Sequence, residues 1–343
     1  MPCAHRIPTT RALAGFFLSC AAGCGGGPVA AVAPVPGAGA LAEAAETADA
    51  AEAAPPASAT PAPGAGVWPA PPGRVVAVGD LHGDPAAALA VLSLAGVVDA
   101  AGAWSGGDTA LVLTGDWTDR GPSSRGVLAL LRRLEGEAAA AGGRVVGLLG
   151  NHEAMNLTGD WRYVSPADVA DYGGEAARRA AYAPGGADGD WLRAHGAVAQ
   201  VGETAFAHGG FAARWAPRGV PGLNALVAAA LAGGDPAVLG EDGPLWYRGH
   251  LLADEAVACA EVEAVRRVLG VRRIVVGHTT QRSGEPAVRC GGALIGIDTG
   301  ISAHYGGHLA ALELRAGTDA WALLPAGPRD LPDPPPPGPA PAR

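Results

Sequence analysis

The run Arg74-Val75-Val76-Ala77-Val78-Gly79-Asp80-Leu81-His82-Gly83-Asp84 decides how this chain is read. Its first five residues have the length and β-branched composition of a strand buried on both faces, as in a parallel sheet. The strand breaks at a glycine, and an aspartate and a histidine follow within three residues. The arrangement recurs twice. Residues 110–114 form a second apolar run that meets Gly115-Asp116-Trp117-Thr118-Asp119-Arg120-Gly121, and residues 144–149 a third that meets Gly150-Asn151-His152-Glu153. Between them, 127–141 place Leu128, Leu131 and Leu134 on one helical face. The order is β-α-β-α-β, with polar residues collected where each strand ends. In open α/β sheets ligands bind at that edge, and glycine there lets the backbone turn sharply and approach a ligand closely. The fold class is therefore α/β.

The residue types at the strand ends point to metal chemistry. Carboxylates, imidazoles and an amide oxygen suit divalent manganese, iron or zinc. Two such ions about 3.5–4 Å apart can clamp a phosphoryl group between them. Two further short strands end the same way: 204–207 in His208-Gly209-Gly210, and 273–276 in Gly277-His278-Thr279. A lone histidine at a strand end is usually a hydrogen-bonded structural residue. Five polar clusters in series, each after a strand, make a metal centre the stronger reading.

The series GDLHG, GDWTDRG and GNHE, followed by HGG and GH, resembles the phosphoprotein phosphatase branch of the calcineurin-like metallophosphoesterases. The stretches GNHEAMNLTGDWRY from Gly150 and GIDTGISAHYGG from Gly296 are similar to the Shewanella-like protein phosphatases in particular. The resemblance implies two packed mixed β-sheets flanked by helices, a four-layer sandwich. It implies two divalent cations, with Asp80 and His82 on the first, Asp116 bridging, and Asn151, His208 and His278 completing the second. It further implies that Arg120, Arg248 and Asn151 bind phosphate, that His152 held by Asp119 protonates the leaving group, that a metal-bridging hydroxide attacks phosphorus directly, and that Tyr305 lies near the metals. The guanidinium fork at Arg120 grips two phosphate oxygens as lysine could not. His195, His250 and His308 match no ligand position and read as structural, and Glu153 as a support for its loop.

Composition divides the rest of the chain. The 343 residues include 53 Gly and 30 Pro, carry a formal charge of −9, and take every basic residue as arginine. Without a basic run, a phosphate-neutralising surface for nucleic acid is excluded, and no apolar run approaches the ~18 residues of a membrane span. Residues 1–24 combine His5, Arg6 and Arg11, a short apolar stretch and Ala-Ala-Gly-Cys ending at Cys24. That is the pattern of a secretory signal, and it resembles a bacterial lipoprotein signal with Cys24 acylated. The expectation is an exported protein of the periplasm or cell envelope, touching the membrane only through the lipid; an unprocessed N-terminus would instead leave it in the cytoplasm. Residues 25–73, mostly Ala, Pro and Gly, read as a disordered tether. Residues 74–326 read as the catalytic domain and 327–343 as a Pro-rich tail. Within the domain, 165–195 reads as a small helical insertion over the site, with Trp161, Tyr163, Tyr172 and Trp191 as packing or substrate-facing aromatics. Residues 293–297 and 308–315 read as strands of a second sheet. Cys259 and Cys290 are free to pair or to remain thiols.

The substrate implied is a phosphoprotein, at Ser/Thr or Tyr, or another phosphomonoester, with no obligate protein partner. Three alternatives compete. Symmetric dinucleoside tetraphosphate hydrolases share the first and third motifs, but usually lack the Asp before the Arg of the second, and their third typically ends in Asp. A broad small-molecule phosphatase would use the same residues. A structural surface lipoprotein with a decayed site would be expected to have lost at least one ligand.

Overall fold

The structure is a computed structural model that describes residues 66–71, 73–315 and 319–339. Its strands in chain order are β1 (Val67–Trp68), β2 (Arg74–Val78), β3 (Ala110–Leu113), β4 (Arg144–Gly147), β5 (Val198–Val201), β6 (Thr204–Ala207), β7 (Arg273–Val276), β8 (Ala287–Arg289), β9 (Leu294–Gly296), β10 (Ala311–Arg315), β11 (Ala320–Leu324) and β12 (Gly327–Leu331). The helices are α1 (Pro85–Leu94), α2 (Ser124–Ala140), α3 (Asn151–Thr158), α4 (Pro166–Asp171), α5 (Glu175–Tyr182), α6 (Ala187–Arg193), α7 (Gly219–Leu231), α8 (Gly249–Leu252) and α9 (Glu255–Leu269). None of the described helices is long and apolar enough to cross a membrane.

Two six-stranded mixed sheets form, in the orders β1-β5-β6-β7-β9-β8 and β12-β11-β10-β2-β3-β4. The period-2 alternation of strand side chains explains the layering. Val76 and Val78 of β2 face one way, with Val91 and Leu92 of α1 and Leu128 and Leu131 of α2 in one core. Val75 and Ala77 face the other way, into a second core shared with Val201, Phe206, Val275 and Ile295 of the opposite sheet. The second core lies between the sheets and the first under the helices, which gives the four-layer sandwich implied by the resemblance. As the β-branched run requires, β2 pairs parallel with β3, and β3 with β4.

Helix starts are chemically marked. Asp84 accepts from Ala87 N at 3.0 Å ahead of Pro85, and Ser123 accepts from Gly126 N at 2.9 Å. Such caps satisfy amides that have no partner inside the helix. α1 follows directly on the first strand-end motif and α2 shortly after the second, while the third motif, Gly150 to Glu153, itself forms the N-cap and first turn of α3.

Three expectations are corrected. Residues 293–297 and 308–315 do not share a sheet: β9 pairs with β7 and β8, whereas β10 pairs antiparallel with β2 in the other sheet. The tail does not begin at 327, because Gly327–Leu331 forms the edge strand β12 against β11. Pro328 is tolerated there because an edge strand has one side free of ladder bonds. Beyond it, Arg266, Arg272 and Arg273 donate to backbone carbonyls of Pro335, Pro334 and Pro332. The tether, drawn to 73, already contains β1, which pairs parallel with β5. Cys259 and Cys290 form a disulfide with Cα atoms 5.3 Å apart. Cys24, the signal segment 1–24 and most of the tether lie outside the described residues.

Candidate metallophosphatase site

The strand-end residues converge on Asp116. Its Oδ2 lies 3.8 Å from His82 Nε2, 3.8 Å from His152 Nε2 and 3.2 Å from His208 Nε2. His82 Nε2 is also 3.8 Å from Asp80 Oδ2. The Asp80 carboxylate accepts from His278 N at 3.2 Å at each oxygen, and His208 Nε2 lies 2.9 Å from Asn151 Oδ1. The His208 and His278 rings are 4.8 Å apart. All six residues proposed by the sequence as ligands are therefore brought together, each nearly inaccessible to solvent.

This requires unusual backbone. His82, Asp116, Asp119, Arg120 and His278 all have positive φ, between 45° and 70°. Non-glycine residues in that region cost of order 1–3 kcal/mol each and cluster at functional sites. Close approach also fixes two glycines. A Cβ on Gly277 would meet Asp80 Oδ1 at 2.5 Å, and one on Gly150 would meet Asp116 Oδ1 at 2.1 Å.

Glu153 holds the bridging loop. Its Oε2 accepts from Asp116 N and Gly150 N, each at 2.8 Å. Its Oε1 accepts from Trp117 N at 2.8 Å, Thr118 N at 3.1 Å and Thr118 Oγ1 at 2.9 Å. It ties the second motif to the third, in keeping with its reading as a support.

The donor set fits divalent cations. His208 Nδ1 lies 2.8 Å from the Thr114 carbonyl, which can only accept, so in the neutral ring the Nε2 lone pair faces the oxygens of Asn151 and Asp116 with no proton between them. His278 Nε2 and His82 Nδ1 are buried without a hydrogen-bond partner among the described residues. Burial pushes His82 down to about 3 and His278 to about 2, which keeps both imidazoles neutral, as ligation needs. Burial and then the neighbouring Asp298 and Asp116 hold Asp80 well above the usual carboxylate range. Burial also pushes Asp116 up, but the imidazoles of His208 and His152 outweigh it and hold it well below its usual range. Acidic groups crowded this closely in a dry site are what a cation would neutralise.

On one flank stands a second device. His152 Nδ1 meets Asp119 Oδ2 at 2.8 Å. Burial pushes His152 down, but Asp116 and the Asp119 hydrogen bond together raise it. Arg120 stacks its guanidinium 3.9 Å above the Tyr163 ring, which lies 5.1 Å from the His152 ring. Tyr305 lies 4.7 Å from the His82 ring. Arg248 donates to His278 O at 2.7 Å and Thr279 Oγ1 at 3.4 Å, tied to the loop that carries His278.

A family model described as calcineurin-like phosphoesterase matches residues 73–282. The chain is 30% identical over 282 residues to Shewanella-like protein phosphatase 2 of Arabidopsis thaliana, covering 67% of this chain and 72% of that one. It belongs to the Shewanella-like protein phosphatases of the calcineurin-like family. An uncharacterised protein of Schizosaccharomyces pombe is 39% identical over 71% of this chain and 77% of its own length. The cold-active protein-tyrosine phosphatase of a psychrophilic Shewanella species superposes with a TM-score of 0.69 at 28% identity, covering 78% of this chain and 82% of that one. This Shewanella-like phosphatase is thus a phosphate ester hydrolase with residues arranged to hold divalent metal.

Within the family frame, His195 and His250 take structural places. His195 bridges Trp191 O at 2.8 Å and Glu135 at 3.0 Å. His250 accepts from Phe211 N at 3.2 Å, and burial lowers it to about 4. Of the four aromatics, Tyr163 stands beside His152 and Arg120, Trp161 lies against Arg178 and Arg179, Trp191 packs on Trp117 and Tyr172 on Tyr182. Sequence reasoning missed two groups. Asp298, inside the quoted GIDTG stretch, is buried beside the centre and accepts from Thr280 Oγ1 at 2.7 Å and Gly300 N at 3.1 Å; an acid after a buried strand was the available signal. Arg178, itself held by Asp168, joins Asn156 on the Asp119 carboxylate, and nothing in the sequence marks it.

Proposed function

We propose that the chain is a two-metal phosphomonoester hydrolase that dephosphorylates phosphoproteins, with phosphotyrosine favoured. The observation that carries this reading is the convergence of Asp80, His82, Asn151, His208 and His278 on Asp116, with the His152–Asp119 pair on one side. Asp80 and His82 would hold one cation, Asn151, His208 and His278 the other, and Asp116 both. When bound, the cations supply an activated water and polarise the phosphoryl oxygens.

The protein's own residues do the rest. Arg120, stacked on Tyr163 with its Nε without a hydrogen-bond partner among the described residues, grips the phosphate together with Arg248 and the Asn151 amide. Asp119 accepts a hydrogen bond from His152 Nδ1–H, which fixes the ring and leaves Nε2–H to deliver its proton to the departing oxygen. Product release then leaves a neutral imidazole that must be reprotonated. Nearly complete burial of the ligands excludes bulk water. The tyrosine preference is supported by the kinship to the Shewanella tyrosine phosphatase.

The test is hydrolysis of p-nitrophenyl phosphate and of matched phosphotyrosine, phosphoserine and phosphothreonine peptides by protein supplied with manganese. Asp116→Asn is expected to abolish turnover. His152→Asn is expected to lower kcat about 10²- to 10⁴-fold, the ordinary worth of a positioned acid. Full activity in both would end this reading.

Export with acylation at Cys24 belongs to the same proposal. It is supported by the Cys259–Cys290 disulfide, since disulfides persist in oxidising compartments. Cys24→Ala should release the protein from the membrane fraction; unchanged fractionation refutes lipidation there.

A further inference from the structure

The second oxygen of the acid's partner is held from an unexpected direction. Asp119 Oδ2 serves His152, while Oδ1 accepts from Asn156 Nδ2 at 2.9 Å and from Arg178 Nη2 at 3.2 Å. Arg178 stands on α5, in the helical insertion, with its side chain fully buried. Its remaining nitrogens are also committed: Nη1 donates to Asn156 Oδ1 at 2.7 Å and Nε to Asp168 Oδ2 at 2.8 Å. Asp168, on α4, accepts from Ser124 N, and Ser124 Oγ accepts from Asp119 N at 3.0 Å. The circuit therefore closes on Asp119 from both its side chain and its backbone. The ring of Tyr182 lies 4.5 Å from the guanidinium carbon and those of Trp161 and Tyr172 within 5.6 Å.

We propose that Arg178 is a positioning residue for the acid step: the insertion clamps Asp119 Oδ1 so that Oδ2, and through it the His152 ring, is presented in one orientation. A carboxylate bound at only one oxygen can rotate about its terminal torsion, which is soft. Two donors on Oδ1 remove that freedom, and proton transfer depends steeply on such geometry. A guanidinium suits the task because three different nitrogens of its rigid fork meet three separate acceptors; a lysine ammonium carries all its donors on one nitrogen and cannot span them in that geometry. The insertion is thereby part of the acid machinery while supplying none of the residues assigned to the metals. A displacement of α5 would disable protonation of the leaving group and leave the metal centre assembled.

This inference rests on the reading of His152 as the acid, and the experiment separates the two. Metal-loaded wild type, Arg178→Lys and His152→Asn are compared on a series of substituted phenyl phosphates running from p-nitrophenyl to unsubstituted phenyl. Acid assistance matters more as the leaving group becomes more basic. Arg178→Lys should lose about tenfold more in kcat on phenyl phosphate than on p-nitrophenyl phosphate, with KM changed by less than about twofold. His152→Asn should show the same steepening, larger. Steepening in His152→Asn with a uniform loss, or none, in Arg178→Lys overturns the role of Arg178. A flat response in His152→Asn overturns the acid assignment and the clamp with it. Should Arg178→Lys fail to fold, Asp168→Asn, which keeps its shape and releases only Nε, is read by the same criterion.

Discussion

Glu153→Gln is the substitution whose effect can be worked furthest from the structure. The carboxylate accepts five hydrogen bonds, two at Oε2 and three at Oε1. Glutamine has one acceptor oxygen, and its NH₂ must face the donors at the other position. The less costly rotamer keeps Trp117 and Thr118 satisfied and turns the NH₂ toward the amides of Asp116 and Gly150. Two hydrogen bonds to a charged acceptor are then lost, each worth about 1.5–3 kcal/mol, and two buried amides are left unpaired. An opposing effect reduces the sum. Burial and then Asp116 push the Glu153 carboxyl up, so the ionised group is held against desolvation and repulsion, and the neutral amide escapes both. The lower end, about 3 kcal/mol, is therefore expected. For a domain of this size that corresponds to a fall in Tm of about 6–12 °C. Because the lost bonds pin Asp116 N and Gly150 N, weaker manganese binding by titration calorimetry should accompany the fall. A variant with wild-type Tm and wild-type metal affinity would refute the claim that Glu153 organises the bridging loop.

Three further outcomes are expected. Chelator-treated protein should lose p-nitrophenyl phosphate hydrolysis and about 5–10 °C of Tm, both restored by manganese, since a ligand at about a hundred times its Kd stabilises by about 2.7 kcal/mol; an unchanged Tm would mean that the clustered acids need no cation. Cys259→Ser opens a cross-link that spans 31 residues and should lower stability by about 3–4 kcal/mol in denaturant titration, with no shift between reduced and oxidised variant. Gly277→Ala places a methyl 2.5 Å from Asp80 Oδ1 and 2.8 Å from Thr114 Oγ1, so metal affinity should fall while far-ultraviolet circular dichroism stays that of wild type.

What the sequence disclosed, and what it concealed, follows from how each feature is encoded. The strand-end motifs were legible because each packs a buried strand, a turn glycine and its polar residues into about ten consecutive positions, so local pattern alone places the side chains at one edge of a sheet. His208 and His278 were legible by the same local rule, applied twice more. Strand β10 lies in the other sheet from the one its sequence suggests, because an apolar run reports that it is buried, not which edge it joins; that is decided by its pairing with β2, more than 230 positions away along the chain in the Glu313–Val76 register. Strand β12 was hidden by its proline, which composition assigns to a tail and an edge strand accepts. Arg178 was hidden more deeply. Its side chain is defined by Asn156, Asp168 and Asp119, three acceptors on three separate segments, and its own neighbours, Glu175-Ala-Ala-Arg178-Arg179, read as an ordinary solvated helix face. Yet Arg179, the adjacent residue, does lie outside and pairs with Glu175 at the surface. One position along the helix separates an exposed ion pair from a fully buried clamp on the acid, and only the packing of α5 beneath Trp161, Tyr172 and Tyr182 distinguishes them.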